Sequence, residues 1–229
     1  MGMIPLGDDN IRGGPPPLVN WALIALNVLV FFLELSQGSE ARLQSFITAW
    51  GVVPREYSTG HDIAPYIPLP FWSTLITSMF LHGGWAHILG NMLYLWIFGD
   101  NLERVMGPAR FLLFYLICGI AAGLAQIFAS GASNIPSLGA SGAISGVLGG
   151  YLVLFPRNRV RVLMRGGIVA VPAFVMLGLW ILIQFISGMG SLARTEETGG
   201  VAYLAHIGGF VAGLVLVKLF TADRPRLAV

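Results

Sequence analysis

The sequence predicts an all-α membrane protein, a bundle of six transmembrane helices, and three observations carry that prediction. Of 229 residues, 55% are hydrophobic and 10% charged, with a mean hydropathy of +0.76, too apolar for a water-soluble domain. Six apolar runs follow one another at about 18–35, 85–98, 109–129, 140–155, 168–189 and 201–220, and a spanning helix needs about 20 mostly apolar residues. Lys and Arg collect on alternate connections between these runs, as the charge asymmetry of membrane proteins requires. The 13 Lys and Arg are scattered among 11 acids and form no patch, so nucleic acid is not an expected partner. The single cysteine, Cys118, excludes an internal disulfide framework and a cysteine-rich metal site.

Residues 1–17, with Asp8, Asp9, Arg12 and the run Pro15, Pro16 and Pro17, read as a short mobile tail with too little apolar surface to bury. Leu18 to Leu35 is long for a signal-peptide core and is not followed by a small-x-small cleavage site, so it reads as a retained span. The connection from Gly38 to Leu81 carries several prolines with Trp50, Tyr57, Tyr66, Phe71 and Trp72, the composition of an interfacial loop with amphipathic segments. The membrane domain then occupies residues 18–221, and 222–229 form a C-terminal tail.

Placing both termini in the cytoplasm puts Arg12, Arg104, Arg110, Arg157, Arg159, Arg161, Arg165, Lys218, Arg224 and Arg226 inside, leaving Arg42, Arg55 and Arg194 outside. Spans two, four and six then run from outside to inside, so their first turns share one depth. Glycine clusters in two of them, as Gly142-x-x-x-Gly146-x-x-x-Gly150 in span four and Gly209-x-x-x-Gly213 in span six. Small residues four apart let helix backbones approach closely, which makes these two spans central.

Strongly polar groups within a span are costly and mark cavities, so each is a functional candidate. His82, His87 and Asn91 surround the start of span two, Ser141 opens span four, and His206 lies near the start of span six. Serine with histidine is the minimum set for nucleophilic acyl transfer, the imidazole removing the hydroxyl proton and returning it to the leaving group. A lone membrane serine is ordinarily a packing residue, and a lone histidine ordinarily a satisfied core residue. Here Gly139 and Gly142 flank Ser141, leaving backbone N–H groups accessible at a helix start, where an oxyanion is favoured. Ala205, Gly208, Gly209 and Gly213 clear space beside His206. His87 and Asn91, four apart on one helix face, can donate to the same anion and complete an oxyanion hole with the Ser141 N–H. A metal site of His82, His87 and His206 is the weaker reading, since no Asp, Glu or Cys completes the shell. No interior acid presents itself as a third triad member, so a Ser-His dyad without metal or cofactor is expected.

These residues resemble the motifs of the rhomboid intramembrane serine proteases of the bacterial six-span type. His82-x4-His87-x3-Asn91 matches that family's HxxxxHxxxN, Gly139-Ala140-Ser141-Gly142 its GxSG, and Ala205-His206-x-x-Gly209-x-x-x-Gly213 its AHxxGxxxG. The resemblance implies a rhomboid-like bundle with Ser141 as nucleophile, His206 as general base, His87 and Asn91 at the oxyanion, and His82 in support. It also implies a bacterial inner-membrane location and single-span protein substrates cut near the extracytoplasmic face. Two departures stand out: Ser145 replaces a tyrosine that stacks on the catalytic histidine in some members, and no Trp is followed by Arg in the first external loop. The support of His206 is therefore unassigned by sequence. Span five, which supplies no reacting residue and is followed by a stretch containing Gly188, Gly190, Gly199 and Gly200, is the expected gate for lateral substrate entry. A non-catalytic rhomboid-like protein that binds membrane helices, and less readily a small transporter, are the alternative functions.

Overall fold

In the computed structural model, which describes residues 4–9, 15–192 and 202–221, helices dominate in the order predicted for the spans. They are α1 (Leu18–Leu35), α2 (Glu40–Trp50), α3 (Pro54–Thr59), α4 (Thr74–Thr77), α5 (Trp85–Met106), α6 (Pro108–Ala129), α7 (Ser141–Leu154), α8 (Ala173–Leu192) and α9 (Tyr203–Thr221). The tail 222–229, Arg194, Gly199 and Gly200 lie outside the described residues. Four helices (α1, α6, α8 and α9) are long and apolar enough to cross a membrane by themselves. Two more complete the bundle. Helix α5 is 22 residues long but carries acids in its second half, and α7 has only 14 residues.

Helix α7 is the axis of the molecule. Every residue from Gly142 to Tyr151 is buried, against α5, α6 and α9, so it reads as apolar on all sides. Its glycines set the spacing. A β-carbon on Gly209 or Gly213 of α9 would land on the backbone carbonyl of Gly142 or Gly146, and one on Gly149 of α7 would land on that of Phe210. The two backbones therefore touch without side chains between them, as the small-residue pattern predicts.

Helix α1 starts after Pro17 with no side-chain cap of its own. Its exposed N–H groups are met from a distance: Val19 and Asn20 donate to Glu103 Oε1 and Oε2 of α5 at 3.0 and 2.7 Å. A carboxylate at a helix N-terminus is favoured by both hydrogen bonds and dipole. At the other end of α1, Glu34 is buried and accepts from the backbone N–H of His82 at 3.0 Å. Interior acids are therefore present, but Glu34 and Glu103 are taken up by backbone N–H groups that fasten the two ends of α1 to the bundle, and neither is a third member beside the serine and histidine.

The reading of residues 1–17 as a tail without structure is also corrected. Ile4–Asp8 forms strand β1, which pairs antiparallel with β2 (Arg159–Met164), itself paired with β3 (Gly167–Pro172), in the order β1-β2-β3. Asp8 sits opposite Val160 and Ile4 opposite Leu163. The run expected to open span five at residue 168 instead forms β3, and α8 begins at Ala173. The cause is visible in β2, where Val160 and Val162 are fully buried while Arg159 and Arg161 face outward, the alternation of a half-buried strand.

Asp8 makes the sheet part of the bundle. Its carboxylate accepts from the Tyr151 hydroxyl of α7 and from Asn101 Nδ2 of α5 at 2.9 Å. Burial raises its carboxyl to about 6 against the usual 3.8, with the Tyr151 bond opposing and Asp100 and Asp9 adding to the rise. A carboxyl that binds its proton more tightly when folded stabilises the fold fully below the unfolded value and loses that contribution as pH rises through about 6. Two pH units correspond to about 3 kcal/mol at most. Lowering the pH from 8 to 5 is thus expected to raise the melting midpoint in detergent, and Asp8→Asn to flatten that dependence. Equal slopes for the two proteins would refute the assignment.

Candidate active site

The loop before α7 is held in place by backbone pairing. Val52 and Ser137 exchange hydrogen bonds at 2.9 and 2.7 Å, and Gly139 N–H donates to Ser78 O at 2.8 Å. Gly139 has φ +118, a conformation that L side chains rarely adopt, and this turn delivers the chain into α7 with Ser141 as its first residue. The N–H groups of that first turn have no partner within the helix.

Helices α5, α7 and α9 all start at this end of the bundle, which brings together the side chains singled out in the sequence. Ser141 Oγ lies 2.8 Å from His206 Nε2. His206 is 8% exposed, so the pair meets inside the protein. His87 is half-buried; its Nδ1 accepts from Gly83 N–H at 3.3 Å, which leaves Nε2 as the protonated donor nitrogen. That Nε2 would lie 2.7 Å from a β-carbon built on Gly139, and Ser141 Oγ 3.6 Å from the same point. The missing side chain of Gly139 is therefore the space that His87 and Ser141 both face. Asn91 is buried, and its Nδ2 finds no acceptor among the described residues. A buried donor without a partner costs roughly 1–3 kcal/mol unless an anion or water fills the position.

His82 plays a different part. It is buried, its backbone N–H is fixed by Glu34, and its ring packs edge-on against His87 with centroids 5.1 Å apart. It does not reach the serine–histidine pair through any hydrogen bond among the described residues. Gly142 and Gly209 act through the seam: they let α7 and α9 approach so that residues 141 and 206 meet.

Two residues of the site were missed in the sequence. Gln184 Oε1 lies 2.7 Å from His206 Nδ1, and the Trp180 ring lies over His206 with centroids 5.9 Å apart and planes 34° apart. Both come from α8, the span read as supplying no reacting residue; it supplies instead two side chains that contact His206. The available signal was a glutamine in an otherwise apolar span, with an aromatic four residues before it on the same face. Ser145, at the position where an aromatic was looked for, instead donates to Ser141 O at 2.6 Å.

Comparison with known proteins gives a match to the Rhomboid domain family model over residues 70–222. "Rhomboid protease GluP" of Bacillus subtilis is 34% identical over 197 residues, covering 86% of this chain and 34% of that protein. "Rhomboid protein 1, mitochondrial" of Saccharomyces cerevisiae is 28% identical over 204 residues, 87% of this chain and 52% of that one. "Putative rhomboid protease YdcA" of Bacillus subtilis is 29% identical over 212 residues, 92% of each. The chain thus spans about a third of the first relative's length and about half of the second's, but nearly the whole of the third's.

Proposed function

The chain is an integral, multi-pass membrane protein of the rhomboid family, and from that membership we propose that it is an intramembrane serine endopeptidase working through a Ser141–His206 dyad. The observation that carries the reading is the 2.8 Å contact between Ser141 Oγ and His206 Nε2. This is within the range at which an imidazole takes a hydroxyl proton.

In the proposed reaction, Oγ bonds to the scissile carbonyl carbon as its proton passes to His206 Nε2, and the carbonyl π pair moves onto oxygen. That oxyanion is met by the Ser141 N–H, Asn91 Nδ2 and His87 Nε2–H, donors typically worth about 3 kcal/mol of barrier each. Collapse breaks the C–N bond, and the proton on Nε2 goes to the leaving amine. Water then repeats the sequence on the acyl-enzyme, with His206 again as base. The route needs neither metal nor cofactor.

Length sets the depth of the chemistry. Fourteen residues make a helix of about 21 Å, shorter than a hydrocarbon core of about 30 Å, so α7 supports a serine sunk below the membrane surface. The preferred orientation has both termini in the cytoplasm of a bacterial cell and the site near the extracytoplasmic face. Substrates are proteins with a transmembrane helix, which must unwind locally to expose a carbonyl. Gly, Pro or small polar residues near the cleaved bond favour that step.

The test uses the full chain, purified in detergent and reacted with a fluorophosphonate probe beside a single-span reporter protein. Labelling is expected at Ser141, located by mass spectrometry, together with reporter cleavage. A protein that captures the reporter but neither labels nor cleaves would instead be a helix-binding member of the family.

A further inference from the structure

Among the described residues, no carboxylate hydrogen-bonds His206. What fixes it comes from α8: Gln184 Oε1 at 2.7 Å from Nδ1, and the Trp180 ring across its face. Gln184 is itself buried, at 9% exposed. An amide oxygen accepts hydrogen bonds and does not donate them, so this contact places the imidazole proton on Nδ1. Nε2 is then left with its lone pair toward Ser141 Oγ, the only tautomer that serves as a base. The opposite tautomer would turn an N–H toward the serine. Ser145 of α7 donates its hydroxyl proton to Ser141 O at 2.6 Å and makes no hydrogen bond to His206 among the described residues.

We propose that Gln184 is the positioning residue of the dyad: through its contact with His206 Nδ1 it selects the tautomer in which Nε2 takes the Ser141 proton, with Trp180 holding the ring plane. The proposal rests on the serine-protease reading above. Because the amide is neutral, it orients the ring without offsetting the charge His206 gains during attack. Gln184→Glu therefore adds something the native residue lacks, while Gln184→Leu removes orientation and leaves packing volume in place.

The experiment measures fluorophosphonate labelling rates and reporter cleavage against pH for the purified full chain, Gln184→Leu, Gln184→Glu and Ser141→Ala. For Gln184→Leu the expected result is a fall of about tenfold to a hundredfold in kcat and in labelling rate, with KM for the reporter within about twofold. For Gln184→Glu activity is retained, and the acidic limb of the pH profile moves up by about one unit as the carboxylate favours the imidazolium. A structural role alone would lower both variants together and leave the profile of the active fraction in place. Gln184→Leu labelling at the wild-type rate, or Gln184→Glu following the wild-type pH profile, overturns the proposal. If Gln184→Leu does not fold, the Gln184→Glu profile decides the matter. A wild-type protein that labels no better than Ser141→Ala would sink the protease reading itself, a different outcome from either.

Discussion

Ser141→Ala is expected to abolish reporter cleavage, by at least about 10⁴-fold, while leaving the protein folded. The side chain removed is small and partly exposed, and the hydrogen bond lost with it contributes only about 1 kcal/mol. The chemical loss is out of proportion to the structural one because without Oγ no acyl-enzyme can form. His206→Ala is expected to match it in activity but not in stability. That side chain is buried between Ser141 Oγ and Gln184 Oε1, so its removal strands a buried amide and costs roughly 1–3 kcal/mol. The pair of variants, compared by cleavage rate and melting midpoint, therefore separates reacting group from packing. Cleavage by Ser141→Ala above background would mean that another nucleophile acts.

Gly213→Ala is expected to be the most damaging single-methyl change in the bundle. Its β-carbon would fall on the carbonyl oxygen of Gly146. A clashing side chain can rotate away; a backbone carbonyl within a buried helix cannot. Helices α7 and α9 would have to part, at a cost of about 3 kcal/mol or more. The same parting would draw Ser141 away from His206, since each stands at the start of one of these helices, so activity is expected to fall with stability. Gly178→Ala on α8 is the control, because a β-carbon there meets nothing within 4 Å, and its midpoint is expected to stay or rise slightly. Equal midpoints for the two alanine variants would show that the seam can relax.

Both predictions concern residues whose importance was readable before any coordinates. Small residues every fourth position are a local pattern, and the family's motifs are local strings, so Ser141, His206, His87, Asn91 and the seam glycines could each be found by inspection. Gln184 was visible too, but its meaning was not: a single amide in an apolar span says that a partner exists without saying which. The pairing of Glu103 with the start of α1 spans more than eighty residues of sequence, and no local pattern encodes it. Asp100 and Glu103 made the second apolar run seem to stop near Phe98, although no Gly-Pro break occurs until Gly107 and Pro108, where α5 ends with φ +79 and α6 starts. The sheet was missed for another reason. Arg-Val-Arg-Val has the period of a strand, but its arginines had already been explained by membrane orientation.

The brevity of α7 also bears on what must not cross the membrane. On the proposed reading, about 9 Å of hydrocarbon thickness is left to loops and pocket at its two ends, and the barrier to proton leakage is expected to be thinner there than through the surrounding lipid. What remains of that barrier is the stretch where α7 and α9 press together over Gly142, Gly146, Gly209 and Gly213. Backbone packed against backbone leaves no file of water between the helices. The contact that brings Ser141 and His206 together would thereby, in the proposed protease, also close the path beneath them.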